Sequence, residues 1–147
     1  LILTFAKLCY NTCMEQNIDF KKLIDASFEA QKNSYSKYSG FAVGASLLTK
    51  SGKIFCGANI ENASYPAGIC AERTAMSKAI SEGEKEFVAI CITCNHNTYP
   101  YPCGVCRQFM SEFAPNLVVI VAKSKTDYKT TTLAQLLPSN FSEDDLK

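Results

Sequence analysis

A three-layer α/β/α sandwich around a mixed sheet of about five strands is the fold class this chain predicts, on three observations. Two runs, Phe87–Cys94 (FVAICITC) and Leu117–Ala122 (LVVIVA), are almost wholly apolar and rich in β-branched residues, as strands covered on both faces are. Ala42–Leu48 alternates Val43, Ala45 and Leu47 against smaller partners and is joined through Ser51-Gly52 to a second run, Ile54–Ala58, which reads as a β-hairpin. Segments of helical periodicity stand before and between these runs, so the order is helix, hairpin, helix, strand, helix, strand. At 147 residues, with no repeat and no linker, the chain reads as one catalytic-sized domain over 1–147, of which 1–18 carries no assignable pattern.

Asp19 is placed to cap a helix in which Phe20, Leu23, Ile24 and Phe28 recur on one face, ending before Tyr35–Gly40. Gly52 supplies the hairpin turn. Asn59–Gly68 is a polar connection containing Pro66, and Cys70–Glu82 is rich in helix formers up to a stop at Gly83. After the strand Phe87–Cys94 comes a loop with Pro100 and Pro102. Cys103, Cys106, Phe109, Met110 and Phe113 then keep helical spacing until Pro115. Lys129–Thr132 reads as a short strand, Leu133–Leu137 as a short helix stopped by Pro138, and Ser142–Lys147 as a polar, exposed tail.

Fifteen Lys and Arg against fourteen Asp and Glu leave a formal charge of +1, which disfavours nucleic acid and anionic membranes as partners. No run approaches the roughly 18 apolar residues of a membrane span. Leu1–Tyr10 is apolar but lacks the basic n-region and cleavage site of a secretory leader. Eight cysteines are about 5% of the chain, below the roughly 8–10% of disulfide-built scaffolds. We therefore expect a reducing, cytoplasmic compartment, where cysteines serve metals or catalysis.

Cys103-Gly104-Val105-Cys106 opens one helix, with both sulfurs expected on one helical face, and Cys70 opens another after Pro66-Ala67-Gly68. Three thiols at two helix N-termini favour thiolate, and three thiolates around a zinc ion leave one position open, the mark of a catalytic site. Their combined charge requires a positive counterpart, for which Arg73 and Arg107 are candidates. Glu72, in the first turn after Cys70, is a candidate proton carrier, although a first-turn Glu commonly sits on the surface facing the helix dipole.

With Cys70-Ala71-Glu72-Arg73 and Pro102-Cys103-Gly104-Val105-Cys106-Arg107-Gln108 both present, the chain resembles the zinc-dependent cytidine deaminases, in particular the small homotetrameric, three-cysteine kind. The likeness runs from Tyr35 to Leu146, and Asn59-Ile60-Glu61-Asn62 and Leu137-Pro138-Ser139-Asn140-Phe141 are also similar to family segments. The resemblance implies a cytidine deaminase-like fold, with one zinc per chain on Cys70, Cys103 and Cys106. It implies hydrolytic deamination of free cytidine and deoxycytidine in pyrimidine salvage, releasing ammonia, with Glu72 as proton shuttle and Arg73 tuning the charge of the zinc site. Asn59 and Glu61 would bind the ribose hydroxyls, Ala71 and Phe41 would contact the base, and Phe141 would reach in from a neighbouring subunit of a homotetramer with shared active sites.

Three alternatives stand beside this reading. A thiol-disulfide oxidoreductase would use the CxxC pair but leave Cys70, Glu72, Asn59 and Glu61 idle. A structural zinc module would add Cys91 and Cys94 to Cys103 and Cys106, but the first two fall on opposite faces of a strand. A deaminase of another aminated base or nucleoside keeps the fold and the metal. The single histidine, His96, matches no ligand position and reads as a solvated loop residue, which leaves Ser-His-Asp chemistry without its base.

Overall fold

The computed structural model describes residues 18–147, so the expectations for the N-terminal segment before Ile18, with Cys9 and Cys13, fall outside the described residues. Helix α1 (Phe20–Gln31) starts at Asp19, whose carboxylate accepts from the Lys22 amide at 2.9 Å. Strands β1 (Val43–Thr49) and β2 (Ile54–Ala58) pair antiparallel across a turn in which Gly52 takes φ +85°. A polar loop with a 3-10 turn at Tyr65–Ala67 leads to helix α2 (Ala71–Ser81) and strand β3 (Phe87–Cys94). Helix α3 (Gly104–Phe113) then crosses to strand β4 (Val118–Ala122), followed by β5 (Tyr128–Thr132), the short helix α4 (Leu133–Leu136) and a 3-10 turn at Glu143–Leu146. Among these, no helix is long and apolar enough to cross a membrane.

The five strands lie in the order β2-β1-β3-β4-β5, with only β3 and β4 parallel, so the sheet is mixed as expected. Strand β3 divides two cores. Ile90, Ile92 and Cys94 face α2 and α3 together with Val119, Val121, Met76 and Met110. Ala89 and Cys91 face α1 with Leu23, Ile24, Val118 and Ile120. That alternation explains why the run contains no polar face: both sides are covered.

Two glycines set how closely the helices approach the hairpin. A Cβ at Gly44 would lie 2.1 Å from the Ser27 carbonyl oxygen of α1, and one at Gly57 would lie 2.5 Å from the Ala71 carbonyl oxygen of α2. Only a residue without a side chain allows these contacts. The start of α2 is thereby seated directly on β2. Because α3 begins past the carboxyl end of β3, where the parallel strands open, both helix starts meet at one end of the sheet, the usual location of ligand sites in such layers.

Candidate active site

The helices begin one residue later than the sequence suggested: Cys70 and Cys103 are N-cap residues, with extended backbone at ψ 156° and 165°, and only Cys106 lies within a helix. The expected single helical face for Cys103 and Cys106 is replaced by a cap and a first-turn position. This suits metal binding, because neither cap sulfur bonds its own helix end, so both stay free for an ion. Backbone bonds lock both caps, with the Thr74 amide on the Cys70 carbonyl at 3.0 Å and the Arg107 amide on the Cys103 carbonyl at 2.9 Å.

The three Sγ atoms lie within 4.8 Å of one another, and those of Cys70 and Cys103 are 3.9 Å apart. A tetrahedral zinc with Zn–S bonds of about 2.3 Å spaces its sulfurs at about 3.8 Å, so this donor set fits the ion in type and spacing. No other His, Cys, Asp or Glu among the described residues joins the cluster, which leaves one coordination position without a protein ligand. Burial grades the trio: Cys106 is buried, Cys70 half-buried and Cys103 exposed, so the open side faces solvent.

Electrostatics at the cluster are strongly perturbed. The Cys70 thiol is drawn down to about 5, first by its hydrogen bond with Cys106 and then by Arg73 and Cys103, while the same hydrogen bond, with burial, moves Cys106 up. Arg73 Nη2 donates to Cys70 Sγ at 3.8 Å. Burial works against the Arg73 charge, but the Cys70 and Cys106 sulfurs outweigh it and raise its ionisation. Its Nε is buried with no hydrogen-bond partner. Arg107, the other candidate, is not at the sulfurs. Its Nε donates to the Pro102 carbonyl at 2.7 Å and its Nη1 to the Leu136 carbonyl at 2.8 Å, so it braces the loop that leads to Cys103.

Glu72 is only 4% exposed, not a surface residue. Burial pushes its carboxyl up to about 7. Packing of α2 on β2 draws the first turn inward, which periodicity alone does not reveal. A carboxyl that ionises near neutrality can both take and give a proton.

An open cleft of about 570 Å³ leads to the sulfurs, with Cys70, Cys103 and Arg73 at one end and Asn59, Glu61, Tyr38 and Tyr65 along its wall. Glu61 accepts from the Tyr38 amide at 2.8 Å, the Ser39 amide at 3.2 Å and the Ser39 hydroxyl, and that hydroxyl above all holds its carboxyl below the usual range. Asn59 Oδ1 accepts from the Ser34 hydroxyl and the Val43 amide, and its Nδ2 donates to the Phe41 carbonyl at 2.8 Å. Ala71 is fully buried and, like Phe41, does not line the cleft. Phe41, half-buried, packs against the α2/α3 core and meets the His96 ring edge-on at 5.0 Å. Phe141 is 58% exposed and does not line the cleft of its own chain. The aromatic wall made by Tyr38 and Tyr65, whose rings meet at 6.2 Å, lay unmarked in segments read only as loop. Cys91 and Cys94, as expected, point to opposite faces of β3 and cannot join a four-sulfur site.

A family model described as the cytidine and deoxycytidylate deaminase zinc-binding region matches residues 18–122. The relative named "Probable cytidine deaminase" from Dictyostelium discoideum is 46% identical over 129 residues, covering 87% of each chain. A cytidine deaminase from Sporosarcina psychrophila is 43% identical over 130 residues, covering 88% of this chain and 96% of that one. Among solved structures, the cytidine deaminase from Burkholderia pseudomallei superposes with a TM-score of 0.80 at 41% identity, covering 84% of this chain and 100% of that one.

Proposed function

Because the chain belongs to the cytidine and deoxycytidylate deaminase family and is a zinc-dependent hydrolase acting on cytidine, we propose that it converts free cytidine and deoxycytidine to uridine and deoxyuridine. The observation that carries this reading is the trio of sulfurs within 4.8 Å at two helix starts, beside a carboxyl that is 4% exposed. Cys70, Cys103 and Cys106 would hold one zinc ion. When bound, the zinc supplies Lewis acidity, which makes water a nucleophile near neutral pH.

The chain's own residues do the rest. A Glu72 carboxylate oxygen takes a proton from the attacking water and gives it to the ring nitrogen beside the amino-bearing carbon. The same oxygen then carries the second proton to the amino group, so that a C–O bond replaces the C–N bond and ammonia leaves. Arg73 offsets the negative charge of the thiolates, with its Nη2 on the Cys70 sulfur at 3.8 Å. Glu61 and the remaining Asn59 N–H face the sugar. A carboxylate there repels a phosphate, which favours nucleosides over nucleotides. Ala71 and Phe41 flank the base.

Phe141, exposed on its own chain, is assigned to the cleft of a second copy, in a homotetramer with shared active sites. A site built on three reduced thiolates belongs in the cytoplasm, in pyrimidine salvage. The test is ammonia release from cytidine, deoxycytidine and cytidine 5′-phosphate, before and after zinc is removed by a chelator and restored. We expect turnover of both nucleosides that follows the zinc, with the phosphate ester poor. No ammonia from either nucleoside with zinc-loaded protein would overturn the reading.

A further inference from the structure

The four residues before and at the start of β1, Gly40 to Val43, are held by a double clamp. Strand β2 ends at Ala58 and β3 at Cys94, and in each case the next residue is an asparagine. On one side the Asn59 amide accepts from the Val43 N–H at 2.8 Å and donates to the Phe41 carbonyl at 2.8 Å. On the other, Asn95 Oδ1 accepts from the Ala42 N–H at 3.0 Å and Asn95 Nδ2 donates to the Gly40 carbonyl at 2.8 Å. The backbone amides of Asn59 and Asn95 add bonds to the Val43 and Ala42 carbonyls at 3.2 and 3.0 Å. With the Phe41 N–H on the Ser39 hydroxyl and the Gly40 N–H on the Ser36 carbonyl, every backbone donor and acceptor from 40 to 43 is satisfied.

Side-chain amides thus extend the ladder beyond the point where the flanking strands end. Phe41 sits in the middle of the segment, and its ring is met edge-on by His96, the residue after Asn95, at 5.0 Å and 90°. Neither Asn95 nor His96 lines the cleft, and Phe41 itself stands just outside its lining, packed against the core between α2 and α3, so the ring's place relative to the base is set by how this segment is held.

We propose that Asn95 is a positioning residue for the deamination: by bonding the backbone on both sides of Phe41 it fixes that ring beside the base, while His96 braces the ring from outside. The proposal rests on the reading that Phe41 contacts the base. Asn59 faces both the segment and the cleft, so its loss would mix two effects, whereas Asn95 acts on the segment alone.

The test is a double-mutant cycle on the zinc-loaded protein, with KM and kcat for cytidine measured for Phe41→Ala, Asn95→Ala and the double variant, and with melting temperatures alongside. Asn95→Ala is expected to raise KM about tenfold, from two lost hydrogen bonds, with kcat within about threefold. In the Phe41→Ala background the same change should add less than about twofold, because the ring it positions is gone. A general loss of stability would multiply through both backgrounds equally. Should Asn95→Ala not fold, Asn95→Asp keeps the Ala42 contact, loses the Gly40 contact, and enters the same cycle with about a threefold rise in KM. A normal KM in Phe41→Ala would remove the base contact and the proposal with it. A raised KM in Phe41→Ala beside a normal or fully additive Asn95 variant would overturn the role of Asn95 alone, and absence of turnover in the wild type would instead overturn the enzyme assignment.

Discussion

Replacing Gly57 with alanine drives a methyl group into the start of the helix that carries Cys70 and Glu72. The new Cβ would lie 2.5 Å from the Ala71 carbonyl oxygen, 2.5 Å from the Ala75 nitrogen and 3.0 Å from Thr74 Cβ. Ordinary contact begins at 3.4 Å, so α2 must retreat from β2 by about 0.9 Å. Overpacking of this kind costs about 1–3 kcal/mol, or a fall in Tm of about 4 °C per kcal/mol for a chain of this size. One of the two atoms struck belongs to Ala71, between Cys70 and Glu72, the proposed sulfur ligand and proton carrier, and a misplacement of about 1 Å at reacting groups costs about a hundredfold in rate. Gly44→Ala is the control. Its Cβ would lie 2.1 Å from the Ser27 carbonyl oxygen of α1, on the opposite face of the sheet. It should cost as much stability or more while leaving kcat/KM of the folded fraction within about threefold. Thermal melts followed by circular dichroism, with cytidine turnover measured well below each Tm, separate the two. Full activity in Gly57→Ala, or a hundredfold loss confined to Gly44→Ala, would refute the reasoning.

Three other outcomes follow from the same site. Glu72→Gln should keep its zinc and still bind cytidine while ammonia release falls by at least about a hundredfold, and turnover within tenfold of wild type would remove Glu72 as proton carrier. In zinc-stripped protein, iodoacetamide should label Cys70 at a rate that has levelled off by pH 7. Hydrogen bonding from Cys106 and then Arg73 draws that thiol to about 5, so its thiolate is already formed there, whereas Cys91, pushed by burial to about 12, stays unlabelled. A Cys70 rate still climbing toward pH 9 would contradict the shift. Phe141→Ala should lose activity alone and regain it when mixed and reassembled with Glu72→Gln chains, since a site that draws Phe141 from one copy and Glu72 from another is then complete. No recovery would place Phe141 in its own subunit.

Much of this molecule was legible in its residues, because the signals were local or strongly periodic. FVAICITC and LVVIVA could only be strands covered on both faces, and Asp19 and Gly52 do the capping and turning that their side chains suit. The cysteine pattern picked out the three sulfurs that the fold brings within 4.8 Å of one another. What stayed hidden depends on packing between distant segments. Nothing in a first-turn Glu distinguishes a surface carboxylate from Glu72, whose burial follows from Gly57 drawing α2 onto β2. Arg107 stood beside Arg73 as a second candidate, but it follows Cys106 directly on α3 and reaches the Pro102 and Leu136 carbonyls instead of the sulfurs. Asn95 and His96 read as loop polarity, because their partner, the segment around Phe41, is about fifty residues away in sequence.

The most direct measurement is the metal content of the purified protein beside Cys70→Ala, Cys103→Ala and Cys106→Ala, each dialysed against the same weak chelator. The account predicts about one zinc per wild-type chain and a small fraction of that in every variant. A full zinc complement in all three variants would show that the ion is held elsewhere and contradict the account at its centre.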